Sequence, residues 1–590
     1  MSAVMNAVQK AWRAGNVSEI ALHFAGLLHR LDPEADPSVV LAGALAGERA
    51  LSGDVCVNLA SVAGGPVFEG EDDAALVAPG LGTWQQALQD CALVSDGNRT
   101  APLVLSDDGR LYLYRYHELE RRLAELITRR SGHISDAVDQ SQLNDALDAL
   151  FSDDPASADQ RKAAERAVGR RLLVISGGPG TGKTATVVRI LALVHQLALV
   201  SPERALLCAP TGKAAARLRE AVAGARGMLP DDMHRLPQAV TVHRLLGSRP
   251  GQPPRYQALR PLPCDLLILD EASMVDLSLM VSLFDALPPD ARLILLGDRD
   301  QLSSVEAGAV LGDICRAADS GVLAGSLATL KHNWRFKAQS PLGALAGAVR
   351  DTQVSDAKAL LENTDAAEAL LIPVADAAAL DALLTERIVP MFAELERLVL
   401  DGADIESVFA KRAAMMVLCA HRRGPRGVTD INARIRSRLG GGAAQSRGAQ
   451  VYPGMPLMVM RNDPVLGLYN GDIGIVVADA EAPGRLQAVF QNTHGEVHAV
   501  SLSRLPEYQP AYAFTVHKAQ GSQAPAVTLI LPEKVSAILS RELVYTGVTR
   551  AGRSLEIWGS QEVLAAAIAR SARRPTGLAD RLQRGTDPCP

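Results

Sequence analysis

Ile175-Ser-Gly-Gly-Pro-Gly-Thr-Gly-Lys-Thr184 is the stretch that decides how the chain is read. An apolar run, 172–175, precedes it and a helical pattern, 185–197, follows it. Strand, glycine-rich loop and helix in that order make a phosphate cradle, with G-x-x-x-x-G-K-T running from Gly177 to Thr184. A chance glycine turn lacks those flanks. Gly177, Gly178, Pro179, Gly180, Thr181 and Gly182 let the backbone fold around a polyphosphate with little side-chain bulk in the way. Their N–H groups and the helix N-terminus then face anionic oxygens. Lys183 is placed to reach the β- and γ-phosphates, and the Thr184 hydroxyl to hold Mg²⁺. ATP is the expected ligand.

Working outward, Cys264-Asp-Leu-Leu-Ile-Leu-Asp-Glu-Ala272 is a buried strand ending in two adjacent carboxylates. A strand lying beside the cradle strand would bring Asp270 to the Mg²⁺ shell. Glu271 would then deprotonate the attacking water, so the pair points to hydrolysis and not binding alone. Arg292-Leu-Ile-Leu-Leu-Gly-Asp-Arg-Asp-Gln-Leu302 is a third strand with a polar turn, where Gln301 can sense the γ-phosphate. Strands alternating with helices predict a parallel, doubly wound α/β sheet. Upstream, the Gln160 amide carries a donor and an acceptor that match the adenine edge, though it reads equally as a solvated helix residue. Pro210-Thr-Gly-Lys213 is a second Gly-Lys, but Leu207 stands where a cradle needs glycine. Pro210, Thr211, Thr241 and His243 are instead candidates for backbone phosphates of a DNA strand crossing the sheet; alone, each is an ordinary helix cap.

Leu330-Lys-His-Asn-Trp-Arg-Phe336 opens a second lobe, and its Arg335 is a candidate arginine finger reaching across a cleft. Residues 351–410 read as helices, and 415–420 as a strand followed by a basic turn, 421–426. From 450 to 504 short alternating runs separated by turns, Tyr469-Asn-Gly-Asp among them, predict a small inserted β-barrel. Thr515, His517 and Lys518, in Tyr512-Ala-Phe-Thr-Val-His-Lys, suit the phosphates and bases of a single strand. Arg550 is a second candidate finger. Residues 224–240 read as a strand-separating pin or as a plain loop, and the basic tail around 571–578 as peripheral.

A length of 590 residues calls for several domains, and 48% hydrophobic residues exclude a disordered chain. A net charge of −6 argues against an overall basic coat but not against a local groove for nucleic acid. Seven scattered cysteines, with no C-x-x-C pair, argue against a zinc or iron–sulfur site and fit reduced thiols in a cytoplasmic protein. No leader pattern is seen, and the most apolar run, 190–200, is broken by His195 and Gln196, so no membrane association is expected. Residues 1–150 carry no catalytic motif. A helix capped by Ser18, a helix from Pro37 to about Leu51, a strand at 111–116 and a helix at 117–128 make a small α-rich domain, either a docking surface or plain structure.

Taken together, the motifs at 177–184, 210–213, 241–247, 270–272, 297–302, 333–336, 515–522 and 544–551 stand in the order of a superfamily 1 helicase. Leu269-Asp-Glu-Ala-Ser-Met-Val-Asp and Leu296-Gly-Asp-Arg-Asp-Gln-Leu-Ser-Ser-Val-Glu-Ala-Gly closely resemble the RecD family, the alpha subunits of bacterial exodeoxyribonuclease V. The resemblance runs from about residue 150 to the C-terminus, and weakly through 41–59. It implies an ATP-driven motor moving 5′→3′ on single-stranded DNA. It also implies a heterotrimer with a RecB-like helicase–nuclease and a RecC-like scaffold touched by the N-terminal domain, acting on double-strand breaks. Lys183, Thr184, Asp270, Glu271, Gln301, Arg335 and Arg550 become the ATPase set, with Gln160 near adenine. The implied fold is α/β: an N-terminal domain (1–150), two RecA-like P-loop NTPase lobes with parallel sheets (151–328; 329–449 with 506–575), an SH3-like insert (450–505) and a tail (576–590). No nuclease motif is present. A stand-alone RecD-like helicase and a DNA-dependent ATPase without unwinding remain as alternatives, and polarity rests on the resemblance alone.

Overall fold

Six parallel strands form the sheet that carries the cradle, in the order Leu327–Leu330, Leu172–Gly177, Arg292–Gly297, Leu266–Leu269, Ala205–Ala209, Val240–Thr241. Continuous apolar runs such as Leu-Leu-Ile-Leu suit strands covered by helices on both faces, and every residue of Leu266–Leu269 is buried. The computed structural model describes residues 3–584 except 69–75, 133, 135–137, 153, 226–236, 250, 319–320, 336–339, 363–367, 440–450, 464, 480–481, 483, 492–494 and 573. The pin candidate at 224–240 falls largely outside the described residues, as does Phe336.

Two expectations about this first lobe need correction. The strand preceding Asp270 does not lie beside the cradle strand, because Arg292–Gly297 is threaded between them. A right-handed crossover can skip a position in the sheet, so chain order does not set strand order. The expected boundary at 328 also cuts through strand Leu327–Leu330, which pairs with the cradle strand from Val174 to Gly177. Arg335 therefore follows directly from the first lobe.

The second lobe has five parallel strands in the order Ala369–Ile372, Ala551–Trp558, Ala524–Ile530, Met415–Cys419, Ala513–Thr515. Ala369–Ile372 lies inside the stretch read as wholly helical; it is a short edge strand, too brief for its periodicity to register. The insert is a five-stranded antiparallel sheet, Val497–Ser501, Leu486–Gln491, Ile473–Ala478, Pro456–Val459, Tyr508–Pro510, and so runs past 505. Its Leu457, Ile475 and Phe490 share one core with Val417 and Trp558 of the second lobe.

Helices Ala3–Arg13, Glu19–Leu31, Pro37–Leu51 and Leu81–Gln89 build the N-terminal domain, with Ser18 accepting from the Ala21 N–H as cap. A four-stranded sheet, Cys56–Asn58, Arg110–Leu113, Leu103–Leu105, Val94–Ser95, completes it. The strand expected to reach 116 stops at Leu113, and the helix starts at Tyr114 and runs to Arg130. His117, Glu120, Leu123, Ala124 and Ile127 form a buried stripe at helical spacing, which outweighs the short alternation before it.

The tail is not peripheral. Helix Leu578–Arg584 buries Leu578 and Leu582 in the core of the first lobe, at 1% and 0% exposure. Two leucines four residues apart among arginines make a narrow apolar face that a charge count hides.

Candidate functional site

The cradle is closed from outside by side chains from other elements. Gly180 and Gly182 have φ of +87° and +82°, a backbone region that admits other residues only at a cost. A Cβ on Gly182 would lie 2.3 Å from Gln160 Nε2 and 3.3 Å from the Trp334 ring, and one on Gly180 would lie 2.6 Å from Asn333 Oδ1. Gln160 Nε2 donates to Thr181 O at 3.3 Å, and Gln160 Oε1 accepts from Arg189. Thr181 Oγ1 donates to Gly178 O at 2.8 Å. Lys183 Nζ donates to the loop's own Gly177 O and Gly178 O at 2.6 and 3.2 Å. Thr184, in the first turn of helix Lys183–Gln196, lines the cavity above the loop.

That cavity, about 450 Å³, gathers Lys183, Thr184, Asp270, Glu271, Gln301, Arg335 and Arg550 with Gly178, Pro179, Gly180 and Gly182. Although one strand intervenes, the Asp270 carboxylate still lies within the field of Lys183. Burial pushes the Asp270 carboxyl up, the neighbouring Glu271 charge pushes it further, and Lys183 and the Glu271 N–H oppose them. Glu271 has φ of +52°, the left-handed region in which a non-glycine residue is strained.

Arg335 belongs to the cradle's own lobe. Asn333 Nδ2 donates to Pro179 O at 3.0 Å and the Trp334 N–H to Gly180 O at 2.8 Å. The expectation that Arg335 reaches across from the second lobe is thus corrected. Strand Leu327–Leu330 delivers it to the rim of the cleft from the same side as the cradle. Arg550 does come from the second lobe, just past helix Arg541–Val548. It is 3% exposed and its guanidinium donates to Thr546 O, Ser522 O and Thr549 Oγ1 at 3.0–3.2 Å.

Gln301 sits in a turn that both lobes hold. Its Nε2 donates to Asp298 Oδ2 at 3.0 Å, and Tyr545 OH from the second lobe donates to the same oxygen at 3.1 Å. Next along the turn, the Leu302 N–H donates to Thr546 Oγ1 at 3.0 Å and Gln520 Nε2 donates to Leu302 O at 2.6 Å.

The strand-contact candidates divide between the lobes. Thr211, Thr241 and Thr515 each accept a backbone N–H as helix caps, from Ala214, Arg244 and Lys518. Pro210 precedes the first of these caps, and His243 is exposed as the second residue of helix Val242–Leu246. The insert turn spans the two sets. A Cβ on Gly212 would lie 3.1 Å from the Tyr469 ring, while Lys518 Nζ is bonded to Asn470 Oδ1. His517 faces Arg574 of the tail, and burial, then that charge, lowers its pKa.

Three cleft residues were given no role by the sequence: Arg217 on helix Gly212–Gly224, and Trp334 and Tyr545, which lie inside the motifs at 333–336 and 544–551. Trp334 was visible only as the neighbour of Arg335. Arg217 was visible only as the residue one helical turn after Lys213. Among the described residues no group of three or more His, Cys, Asp or Glu side chains could hold a metal ion, and no helix is long and apolar enough to cross a membrane.

Three family models match the chain: RecBCD enzyme subunit RecD, N-terminal domain, at 13–112; an AAA domain at 160–307; and a UvrD-like helicase C-terminal domain at 510–557. The AAA match takes in Gln160, the cradle, Asp270, Glu271 and Gln301, and marks the site as nucleotide-binding. The RecBCD enzyme subunit RecD of Mycobacterium tuberculosis H37Rv is 40% identical, over 97% of this chain and 96% of that one. The RecBCD enzyme subunit RecD of Haemophilus influenzae is 31% identical, over 85% and 84%. The ATP-dependent RecD2 DNA helicase of Deinococcus radiodurans is 33% identical over 82% of this chain, but only 60% of its own length is covered.

Proposed function

The chain belongs to the RecD family, and we propose that it is an ATP-driven motor that moves 5′→3′ on single-stranded DNA and unwinds duplex. Its place is in a heterotrimer with a RecB-like helicase–nuclease and a RecC-like scaffold, working on double-strand breaks in the cytoplasm. The observation that carries this reading is end-to-end similarity to RecBCD subunits, the N-terminal domain included. That favours the heterotrimer over a stand-alone helicase, of which the chain spans only 60%.

In the mechanism, the cradle N–H groups and Lys183 bind the ATP phosphates, while Gln160 and the half-exposed Trp334 flank the base. Indole stacking together with an amide on the adenine edge supports choice of that base. Lys183, now bonded to its own loop carbonyls, turns to the phosphates when they compete for it. Mg²⁺ fits the donor chemistry. Asp270 is a buried carboxylate with no ion-pair partner among the described residues, and the Thr184 hydroxyl lines the same cavity. Those two would hold the ion, which supplies charge neutralisation at the phosphates. Glu271 takes the proton of the attacking water. Arg335 from the first lobe and Arg550 from the second offset the charge that develops as the bond breaks. Gln301, tied to Asp298 and through it to Tyr545, carries loss of the γ-phosphate to the second lobe. The strand then steps between the two sets of caps.

Unwinding of partial duplexes by the purified chain, alone and with its partner subunits, tests the proposal. Displacement from a 5′-tailed substrate and not from a 3′-tailed one, dependent on ATP and Mg²⁺, is expected. Displacement from the 3′ tail would overturn it.

A further inference from the structure

The first two turns of one helix in the first lobe face two different sites. Helix Gly212–Gly224 begins at Thr211, beside the candidate strand-contact residues, where Gly212 packs under Tyr469 of the insert turn. Lys213, on its first turn, lies within the field of Asp472, the last residue of that same insert turn. Four residues on, Arg217 lines the ATP cavity together with Lys183, Asp270, Glu271, Arg335 and Arg550. Residues at i and i+4 stand on one helix face, roughly 6 Å apart along the axis. A single turn of rigid helix therefore separates the strand-contact face from the hydrolytic cleft.

Arg217 differs from the other two cleft arginines. Arg550 is fixed by three hydrogen bonds, and Arg335 is delivered by a segment stitched to the cradle loop. Among the described residues no hydrogen bond holds the Arg217 guanidinium, and none holds the Glu271 carboxylate. Of the charges that attract Arg217, Glu271 is the strongest, ahead of Glu220 and Asp270. Glu271 has a particular need for such a partner. Its backbone is in the strained left-handed region, with φ of +52°, and among the described residues no hydrogen bond fixes where its carboxylate points.

We infer that Arg217 is a positioning residue that links strand occupancy at the start of its helix to the water-activating Glu271. A phosphodiester at Thr211 and Lys213 competes with Asp472 for Lys213 and so shifts the helix as a unit. The shift brings the Arg217 guanidinium against the Glu271 carboxylate and holds it aimed for proton abstraction. Without a strand, the insert turn keeps the helix where that pairing is not made. The inference rests on the motor reading above and names the element through which nucleic acid would accelerate hydrolysis.

Steady-state ATP hydrolysis by the full chain, with and without saturating oligothymidylate, tests it in wild type, Arg217→Gln and Arg217→Lys. In Arg217→Gln the DNA-saturated kcat should fall roughly 10- to 100-fold, with KM for ATP and oligothymidylate affinity within about twofold of wild type. Arg217→Lys, which keeps the charge but not the planar fork, should recover a good part of the lost kcat. An Arg217→Gln enzyme within about twofold of wild-type kcat would overturn the inference. So would loss of kcat, KM and DNA affinity together with no rescue by lysine, the pattern of a merely structural residue. Failure of the motor reading looks different: the wild type itself would show no response to oligothymidylate.

Discussion

Removing one oxygen atom tests how the two lobes are coupled. Tyr545 OH donates to Asp298 Oδ2 at 3.1 Å, and that carboxylate oxygen also accepts from Gln301 Nε2 at 3.0 Å. Asp298 is 2% exposed, so no bulk water stands ready to replace the phenol. Burial pushes its carboxyl up, while Lys183, the Asp300 N–H, Gln301 and Tyr545 hold it down. Hydrogen bonds to an ionised group contribute about 1.5–3 kcal/mol, and leaving a buried acceptor short of a donor costs a similar amount. Tyr545→Phe keeps the ring packing and deletes only the donor. The closed cleft should therefore weaken by about 1.5–3 kcal/mol relative to the open one, a factor of roughly 10 to 150. The same hydroxyl would lie 2.9 Å from a Cβ on Gly178, so its loss is felt at the cradle as well as at the sensor turn. The assay is single-strand-stimulated ATP hydrolysis as a function of ATP, with a thermal melt as the check on folding. KM for ATP should rise by about an order of magnitude or more, with the melting midpoint changed little. If KM and kcat both stay within about twofold of wild type, the interlobe bond plays no part in closure and the coupling argument fails.

Lys183→Gln should abolish stimulated hydrolysis, by roughly a thousandfold or more, with an unchanged circular dichroism spectrum; near-normal turnover would refute the cradle assignment. Leu582→Ala should destabilise the first lobe by about 2–5 kcal/mol in thermal or denaturant unfolding, because Leu582 is fully buried; a change below about 0.5 kcal/mol would return the tail to the periphery. Glu120 is fully buried beside Arg581, and burial raises its carboxyl from 4.5 to about 7. The folded state thus keeps a proton that the unfolded chain has lost, and its contribution to stability declines as pH rises from 4.5 to about 7. Glu120→Gln should remove that decline, so wild type loses melting temperature relative to the variant over this window. A pH-independent difference would contradict it.

The parts of the site that the sequence made plain are those where chemistry needs fixed spacing on one element. Gly177 to Thr184 is a loop whose length is set by the polyphosphate, and Asp270-Glu271 ends a strand whose four preceding residues are all buried. What escaped was set by tertiary placement. Chain order could not say that Arg292–Gly297 would be threaded between the cradle strand and the strand of Asp270. Asn333 looked like the start of a second lobe because its role, a bond to Pro179 O, lies 154 residues away. Arg217 sits in an alanine-rich helix where an arginine is an ordinary surface residue; only the folded cleft gives it neighbours. The tail misled for the opposite reason: its arginines dominated the reading, while two leucines one turn apart decided its position.

The ties across the lobes differ in kind, and the difference sets how the cleft can move. Near the ATP site they are chiefly single hydrogen bonds, Tyr545 to Asp298 and Thr546 and Gln520 to Leu302, whose side chain also joins the second-lobe core. Each is worth about 0.5–3 kcal/mol, small enough to be broken and remade every cycle. Beside the sensor turn the chain leaves the second lobe after helix Gln561–Ala569, bonds Glu542 through Ser571 and Ala572, gives Arg574 to Gly308 O, and enters the first-lobe core at Leu578, with Ala572 and Arg574 lining one cavity with Asp298 and Gln301. Burying Leu578 and Leu582 is worth about 1.5–3 kcal/mol apiece, and neither leaves without exposing the other. Fully stretched, residues 570–577 span about 28 Å, so the strap allows rotation of the lobes but not separation. A rotation about the strap then pivots close to the sensor turn, whose Asp298 and Gln301 share a cavity with Ala572 and Arg574. That geometry keeps displacement small at the sensor turn and on the N-terminal domain, to which Asp580 and Arg581 of the tail helix are paired through Arg110 and Glu120.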